Sequence, residues 1–156
     1  RGKVLPEKGG NVSLGFSSIF WNTAWTKGQP PHTLGILCNP LHPILSAFPT
    51  DSYSDYQWWD IVSQSDAMIL DAMPQNLMPD VQVIDDWVTN HKLALLFETK
   101  VGKGKLVVCS VDLMNNLEKR PAAAQLKQSI LEYMASKNFQ PEDEINPELI
   151  KDLINK

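Results

Sequence analysis

The chain has 156 residues and a mass of 17.5 kDa, which fits one domain, because a single core usually spans about 100–200 residues. Hydrophobic residues make up 43% of the chain, but no apolar run approaches the ~18–20 residues that cross a bilayer, so we expect no membrane span. The formal net charge of -4 and the lack of a Lys/Arg cluster argue against a nucleic-acid partner, because phosphate binding depends on clustered positive charge.

The N-terminal third mixes loop and strand patterns. The opening "RGKVLPEKGG" predicts a loop, and it lacks an initiator methionine and a signal peptide, so we expect a mature product, an engineered chain or a fragment. "NVSLGFSSIF" predicts a strand and "TKGQPPH" a loop, because consecutive prolines remove backbone donors. "TLGILC" is a continuous apolar run that predicts a strand covered on both faces.

The middle of the chain alternates short helices and strands. Prolines limit "NPLHPILSAFPTD" to one helical turn, around Pro43 to Ala47. "SDYQWWDIVSQS" predicts a short helix with Tyr56, Trp59 and Val62 on one face. "DAMILDAMP" predicts a buried strand, whereas "DVQVIDDWV" fits either a strand or a helix start.

The last third has the clearest local patterns. Two strand-like runs flank a Gly-Lys-Gly-Lys turn in "HKLALLFETKVGKGKLVVCSVDL", which predicts a β-hairpin. "EKRPAAAQLKQSILEYMASKNF" predicts an amphipathic helix starting near Pro121, with one apolar face formed by Leu126, Ile130, Leu131 and Met134. Asn146 and Pro147 predict a cap and first turn of a final short helix.

These elements predict an α/β domain with three layers and a mixed sheet, since short buried strands alternate with helices before the hairpin. We place a single α/β domain at residues 1–140 and a C-terminal helical tail at residues 141–156.

No pattern in the sequence assembles a catalytic, metal or cofactor site. Gly-x-Ser-x-Gly and Gly-x-Cys-x-Gly are absent, and Cys38 and Cys109 each lie in an apolar run, where a thiol acts as a small hydrophobe. The three histidines are scattered and no Cys-x-x-Cys spacing occurs, so we predict neither a metal nor a cofactor. The adjacent Asp85 and Asp86 predict a solvated pair or a helix cap.

Aromatic side chains are numerous for this length. Tryptophan faces bind sugars when polar groups lie beside them, and the same residues are common in cores and at protein interfaces. The candidate contact residues, for a ligand or a neighbouring domain, are Trp21, Asn22, Trp25, His32, Trp58 and Trp59.

Two long stretches resemble a known group of enzymes. "GFSSIFWNTAWTKGQPPHTLGILCNPLHPILSAFPTDSYSDYQWWD" and "VQVIDDWVTNHKLALLFETKVGKGKLVVCSVDL" resemble the C-terminal region of Bacteroidetes-type glycoside hydrolase family 2 proteins, the β-galactosidase-like group. The resemblance covers about Gly15 to Met134. A broader likeness, carried by "HPIL", "FP" and "VGKGKLVVCSV", is to the class I glutamine amidotransferase-like (flavodoxin-like) fold, which includes ThuA-like proteins.

The resemblance implies a non-catalytic accessory domain, because the catalytic glutamates of family 2 hydrolases belong to a barrel that a chain of this length lacks. It also implies a periplasmic or secreted setting in a polysaccharide-degrading bacterium. The implied partners are other domains of a glycoside hydrolase or a second copy of the chain, with glycan as a further candidate. A parallel sheet needs its central strands, so the domain could be incomplete or completed by a partner.

Two alternatives stay open. One is a carbohydrate-binding module. The other is an enzyme, either a ThuA-like sugar-processing protein or a small hydrolase that uses His32 or His42 with an acidic residue such as Asp60.

Overall fold

The computed structural model describes residues 3–15, 33–86 and 88–154, and it has an α/β arrangement in which a five-stranded sheet is combined with a few helices. The predicted loop "TKGQPPH" lies outside the described residues, as does the second half of the predicted strand "NVSLGFSSIF", whose residues 11–15 are not extended into a strand. The strands are β1 (Ile36–Cys38), β2 (Met68–Ile69), β3 (Val81–Val83), β4 (Leu93–Val101) and β5 (Gly104–Cys109).

Three α-helices and three 3₁₀ helices complete the described part of the chain. Within these ranges, no helix is long and apolar enough to cross a membrane. The α-helices are α1 (Trp58–Ser63), α2 (Pro121–Ala135) and α3 (Pro147–Lys151), and the 3₁₀ helices are Pro6–Lys8, Pro43–Leu45 and Leu117–Lys119.

Strand β4 is the centre of the sheet. Leu93 pairs with Val83 of β3 across one edge and with Ile69 of β2 across the other. Strand β5 continues along the same edge as β2, and β1 pairs with the outer edge of β3. All four pairings of these strands are antiparallel, and a parallel contact occurs at an isolated bridge between Lys100 and Glu144.

The predicted mixed sheet is therefore wrong for the pairs of named strands. An apolar run indicates that a strand is buried, but it carries no information about the direction of the strand beside it. The predicted hairpin is confirmed, because β4 and β5 pair from Leu96 with Cys109 to Val101 with Gly104. Its two-residue turn places Gly102 at φ 57°, a conformation that glycine adopts without strain.

A β-bulge in the β3–β4 pairing sets which side chains share a face. The register shifts between Val81 and Gln82, which face Leu96 and Ala94. Because a bulge places an extra residue on one strand, Leu95 and Leu96 both belong to the same core cluster. Alternation from Leu96 then directs the Glu98 side chain to that same face of the sheet.

Apolar side chains form a core on each face of the sheet. The first cluster joins the sheet to α1, α2 and the 3₁₀ helix Pro43–Leu45. The second lies on the other face and includes Val4 from the N-terminal segment and Ile145 and Leu153 from the C-terminal one. Both ends of the described chain are thus packed against the sheet.

Helix α2 begins at Pro121 as predicted, but its buried face differs from the predicted one. Leu131 and Met134 are 51% and 40% exposed. The face that packs on the sheet includes a serine, because the Ser129 hydroxyl donates to the Ile44 carbonyl at 2.7 Å and accepts from the Ala47 amide at 3.0 Å. The buried residues of the helix are Ala123, Leu126, Ser129, Ile130 and Tyr133.

Strand β1 and helix α3 also allow a comparison with the sequence. Strand β1 was predicted to be covered on both faces, but Leu37 is 49% exposed, so one face of this edge strand is open. The predicted cap of α3 is confirmed, since the Asn146 side chain accepts a hydrogen bond from the Glu148 amide at 3.0 Å.

Candidate functional site

Four of the six predicted contact residues lie outside the described residues. They are Trp21, Asn22, Trp25 and His32. The structure places the remaining two, Trp58 and Trp59, on helix α1.

Trp58 is part of the first core cluster, contrary to the contact surface expected from the sequence. Its side chain is fully buried, and its ring packs edge-to-face on Phe48 with centroids 5.1 Å apart. The indole Nε1 donates to the Thr50 hydroxyl oxygen at 2.8 Å, which satisfies the one polar atom of the ring. Trp58 therefore stabilises the packing of α1 rather than offering a surface.

Trp59 follows Trp58 on α1, where successive side chains diverge by about 100°, and it is 59% exposed. The chain just before it contributes Tyr53 and Tyr56, which are 60% and 93% exposed. Tyr53 bridges Leu37 of β1, and the Trp59 amide donates to the Tyr56 carbonyl at 3.2 Å, so these side chains come from adjoining backbone. We call Leu37, Tyr53, Tyr56 and Trp59 the aromatic surface.

Two polar side chains close to these aromatic residues in the sequence, Gln57 and Asp60, are bound to the chain itself. The Gln57 side chain donates to the Pro49 carbonyl at 2.8 Å, and the Asp60 carboxylate accepts from Arg120 Nε at 2.8 Å. Asp60 is thus part of an ion pair with a buried arginine. The structure does not bring His42 and Asp60 together as an acid–base pair, since the partner of Asp60 is Arg120 and His42 lies beside Asp80.

A second group of polar side chains surrounds a cavity of about 290 Å³ between the sheet, α2 and the C-terminal segment. We call it the acidic cavity. Two of its carboxylates come from the sheet region, Asp80 just before β3 and Glu98 in β4. The lining residues are His42, Pro43, Met78, Asp80, Glu98, Tyr133, Asn138, Gln140, Glu142 and Asp143.

The geometry around His42 defines its tautomer. Its Nδ1 accepts a hydrogen bond from the Ile44 amide at 3.3 Å, where it caps the 3₁₀ helix Pro43–Leu45. In the neutral ring the proton is then on Nε2, which lies 3.6 Å from Asp80 Oδ1. Burial lowers the pKa of His42, although the charge of Glu98 acts in the opposite direction. His42 is therefore a neutral donor facing Asp80 near pH 7.

Asp80 is the most perturbed carboxyl group of the cavity. Its side chain is 9% exposed, and burial, followed by repulsion from Glu98, raises its pKa to about 7. Burial also raises the pKa of Tyr133, whose hydroxyl hydrogen-bonds to the Glu98 carboxylate. The Tyr133 ring packs edge-to-face against His42, with centroids 5.6 Å apart.

The family model described as "Domain of unknown function (DUF8487)" matches residues 2–155 of the chain. The chain belongs to this family. A search of curated proteins found no match. Because the family match covers nearly the whole chain, the aromatic surface and the acidic cavity both lie within the family's domain.

Other candidates from the sequence have structural roles. Asp86 Oδ1 accepts from the amides of Val88 and Thr89, and Asp85 accepts from the amides of Asp86 and His91, so this pair holds a turn. Burial, followed by the charge of Asp55, raises the pKa of the Cys38 thiol to about 11, which disfavours a nucleophilic thiolate. In the described part of the chain, no group of three or more His, Cys, Asp or Glu side chains is arranged to hold a metal ion.

The acidic cavity has no counterpart in the sequence predictions. Its titratable residues come from segments far apart in the chain, and of these His42, in the "HPIL" stretch, was named as a candidate, but with Asp60 rather than Asp80 as its acidic partner. The one local indication is Glu98, an acidic residue within the apolar run "LALLFETKV" whose neighbours Phe97 and Thr99 are both fully buried. A carboxylate in such a run is expensive to bury without a partner, which marks it as a candidate site residue.

Proposed function

We propose that the chain is a non-catalytic accessory domain of a polysaccharide-degrading glycoside hydrolase, and that it contacts neighbouring domains or a second copy of itself. The observation that carries this proposal is the aromatic surface, on which Tyr56 is 93% exposed and Trp59 59% exposed. Large exposed aromatic side chains are enriched where protein surfaces meet. The choice of glycoside hydrolases as the larger protein follows from the sequence resemblance between Gly15 and Met134.

The same resemblance supports the finer parts of the proposal. It favours a class I glutamine amidotransferase-like (flavodoxin-like) relationship for the fold and a three-layer arrangement, and it favours a periplasmic or secreted location. The matching pieces are the "HPIL" turn, the "FP" dipeptide and the "VGKGKLVVCSV" hairpin.

The first experiment measures the intact mass of the natively produced polypeptide, detected with an antibody raised to this domain. An accessory domain predicts a mass far above 17.5 kDa. Hydroxyl-radical footprinting then compares Tyr53, Tyr56 and Trp59 in the native protein and in the isolated chain. Protection of these three residues, with Met114 equally oxidised in both samples as an exposed control, supports the proposed contact.

Two results would contradict the proposal. The first is a native mass near 17.5 kDa with a monomeric chain, which leaves neither a neighbouring domain nor a second copy. The second is equal oxidation of the aromatic surface in the native protein and the isolated chain.

A second candidate is a carbohydrate-binding module, and the observation that favours it is the same exposed pair of Tyr56 and Trp59. Aromatic faces bind the apolar face of sugar rings. A saturable change in tryptophan fluorescence with galactosides, glucans or host-type glycans, lost in Trp59→Ala, would support it. Flat titrations across all three classes would exclude these glycans as ligands.

The proposal of a ThuA-like sugar-processing protein or small hydrolase depends on His32 or His42 with an acidic residue such as Asp60. The ion pair of Asp60 with Arg120 weakens this alternative. It predicts turnover of aryl glycosides or esters with a pH–rate profile governed by a group near pH 6–7, and an inactive chain would refute it.

A further inference from the structure

The acidic cavity contains buried carboxylate oxygens that the described part of the chain leaves without a hydrogen bond. They are Asp80 Oδ2 and Glu98 Oε2. The Asp80 side chain is 9% exposed, and its other oxygen, Oδ1, lies 3.6 Å from His42 Nε2. Burying a carboxylate oxygen without a hydrogen bond is strongly unfavourable in free energy. A ligand that donates hydrogen bonds to these oxygens would remove that penalty.

The charges around these oxygens select a cation. The acidic residues facing the cavity come from three parts of the structure: Asp80 from the residue before β3, Glu98 from β4, and Glu142 and Asp143 from the C-terminal segment. His42 faces them as a neutral ring near pH 7. Among the described residues that line the cavity there is neither lysine nor arginine, so an anion would be repelled and a cation attracted.

The nearest lysine already has other partners. Lys105 Nζ donates to the Phe139 carbonyl at 2.7 Å and to the Gln140 side-chain oxygen at 2.8 Å. Its ammonium therefore orders the rim at Gln140. The carboxylate of Asp143 likewise accepts from the Asn76 amide at the rim.

The form of the cavity favours an ammonium ion on an alkyl stem over a bare metal ion. A bound metal needs several ligands in fixed geometry, and the described residues offer no ready group of three. A primary ammonium is compact and carries three donors, enough for Asp80 Oδ2 and Glu98 Oε2. Met78 and Pro43 supply an apolar wall for a stem, and 290 Å³ accommodates a small molecule.

We propose that the acidic cavity binds a primary alkylammonium group, with Asp80 and Glu98 as its hydrogen-bond acceptors and Tyr133 positioning Glu98. The group can belong to a small amine or to a lysine side chain of a polypeptide, since both present the same ammonium on an alkyl stem. The proposal stands independently of the accessory-domain function, because it uses a different part of the molecule.

The test is an NMR titration of the whole chain with n-butylamine at pH 8, with 1-butanol as the uncharged control of the same shape. At this pH Asp80 is ionised, since its pKa is about 7, and an alkylamine is protonated, since its pKa is about 10. We expect saturable shifts of the Tyr133 and His42 ring resonances with butylammonium at about millimolar affinity, and none with butanol.

Variants assign the binding to the cavity. Asp80→Asn keeps the shape of the side chain and removes its charge, and we expect an affinity at least about tenfold lower; Glu98→Gln provides an independent second variant. The matched control is Glu118→Gln, which removes an exposed carboxylate outside the cavity and should leave the affinity unchanged. The far-UV spectrum of each variant establishes that it is folded.

The outcomes distinguish a lysine side chain from a small amine, and an ammonium group from an uncharged ligand or a metal ion. Saturable shifts with Nα-acetyl-lysine amide, at least as tight as with butylamine, support recognition of a lysine side chain, whereas tighter binding of butylamine supports a small amine. Equal shifts with butanol, no saturation with either amine, or Asp80-dependent binding of Ca²⁺ that displaces butylammonium would each overturn the proposal.

Discussion

Arg120 and Asp80 are two buried charged residues that the fold treats in opposite ways. Arg120 is 8% exposed as a residue and the Asp80 side chain is 9% exposed, so both have lost nearly all contact with water. Arg120 lies among hydrogen-bond acceptors, whereas Asp80 lies beside another carboxylate. Arg120 is therefore a buried charge that stabilises the fold, whereas Asp80 is a buried charge that destabilises it.

The arginine connects three segments around the start of α2. Its Nε donates to Asp60 of α1 at 2.8 Å, and its Nη1 donates to the carbonyls of Asp112 and Asn115 at 2.6 Å and 3.3 Å. Its Nη2 is the buried guanidinium nitrogen for which the described residues provide no acceptor. Three satisfied bonds nevertheless offset most of the desolvation of the charge, as a planar fork of donors allows.

Asp80 has the opposite surroundings. Its backbone amide donates to the Leu96 carbonyl of β4 at 2.9 Å, which fixes the backbone of Asp80 beside the strand that carries Glu98. The raised pKa of the carboxyl is the result of this enforced burial beside a like charge. A carboxyl group placed this way destabilises the folded chain when it ionises, and groups with such perturbed pKa values cluster at functional sites.

The largest effect should come from removing the satisfied charge. Arg120→Met keeps most of the side-chain volume but leaves the carbonyls of Asp112 and Asn115 and the Asp60 carboxylate without this donor. We expect the free energy of unfolding to fall by about 2–4 kcal/mol, below the range for a fully buried pair because the Asp60 side chain is 39% exposed. Urea denaturation followed by circular dichroism measures the change.

Asp60→Asn is the control for that experiment. The amide oxygen can still accept from Arg120 Nε, so only the charge is lost, and a half-exposed partner makes that loss smaller than about 1 kcal/mol. If the two variants were equally unstable, the ion pair rather than the bonds to backbone carbonyls would hold this junction together.

Removing the charge of Asp80 should increase the stability of the fold, whereas removing that of Arg120 should decrease it. Asp80→Asn should raise the free energy of unfolding at pH 8 by about 1–3 kcal/mol, because the neutral amide avoids ionisation beside Glu98. A pKa raised to about 7 means that the folded chain holds this proton more tightly than the unfolded chain. The stability from the protonated Asp80 is therefore complete below pH ~4 and is lost as the pH rises through about 7.

The pKa of His42 shifts on folding in the opposite direction to that of Asp80, and this difference determines the pH range in which the Asp80 effect is measured. Its pKa is lowered on folding, so its contribution is lost as the pH falls below the unfolded value of about 6.5. Between pH 6.5 and 8 the contribution of His42 is small and is shared by the wild-type chain and Asp80→Asn, so the difference between their denaturation curves isolates Asp80. The wild-type chain should lose stability with rising pH across this window, and Asp80→Asn should lose less; identical slopes would show that Asp80 is already ionised at pH 6.5.

The sequence predicted those features whose cause is local. The turn at Gly102 and the cap at Asn146 depend on residues within a few positions, and both are confirmed. The positions of β1, β2, β4 and β5 follow from apolar runs, and the start of α2 at Pro121 follows from the preference of proline for the first turn. The pattern left β3 open between a strand and a helix start, and residues 11–15 of the predicted strand "NVSLGFSSIF" do not form one.

The features that failed or were missed depend on contacts distant in the chain. Periodicity placed Tyr56, Trp59 and Val62 on one face, but Val62 is buried whereas Tyr56 and Trp59 are exposed. The neighbouring Trp58 is buried, since its ring packs on Phe48 and its indole nitrogen donates to Thr50. The acidic cavity joins Asp80 and Glu98 through the register of β3 and β4, which no single segment specifies. Only the acidic residue within the apolar β4 sequence pointed toward it.

Apart from the control variants, the smallest effect concerns Ser129, a buried uncharged group whose hydroxyl both donates and accepts a hydrogen bond. Its hydroxyl joins α2 to the 3₁₀ turn through the Ile44 carbonyl and the Ala47 amide. Ser129→Ala leaves both backbone groups without this partner, and we expect a loss of about 1–2 kcal/mol in urea denaturation. Ser63→Ala removes an exposed hydroxyl that donates to the Trp59 carbonyl at 2.7 Å, and it should change the stability by less than about 0.5 kcal/mol. Equal losses in the two variants would mean that burial does not determine the value of a hydrogen bond here, and the contrast between Arg120 and Asp80 would then require an explanation from charge alone.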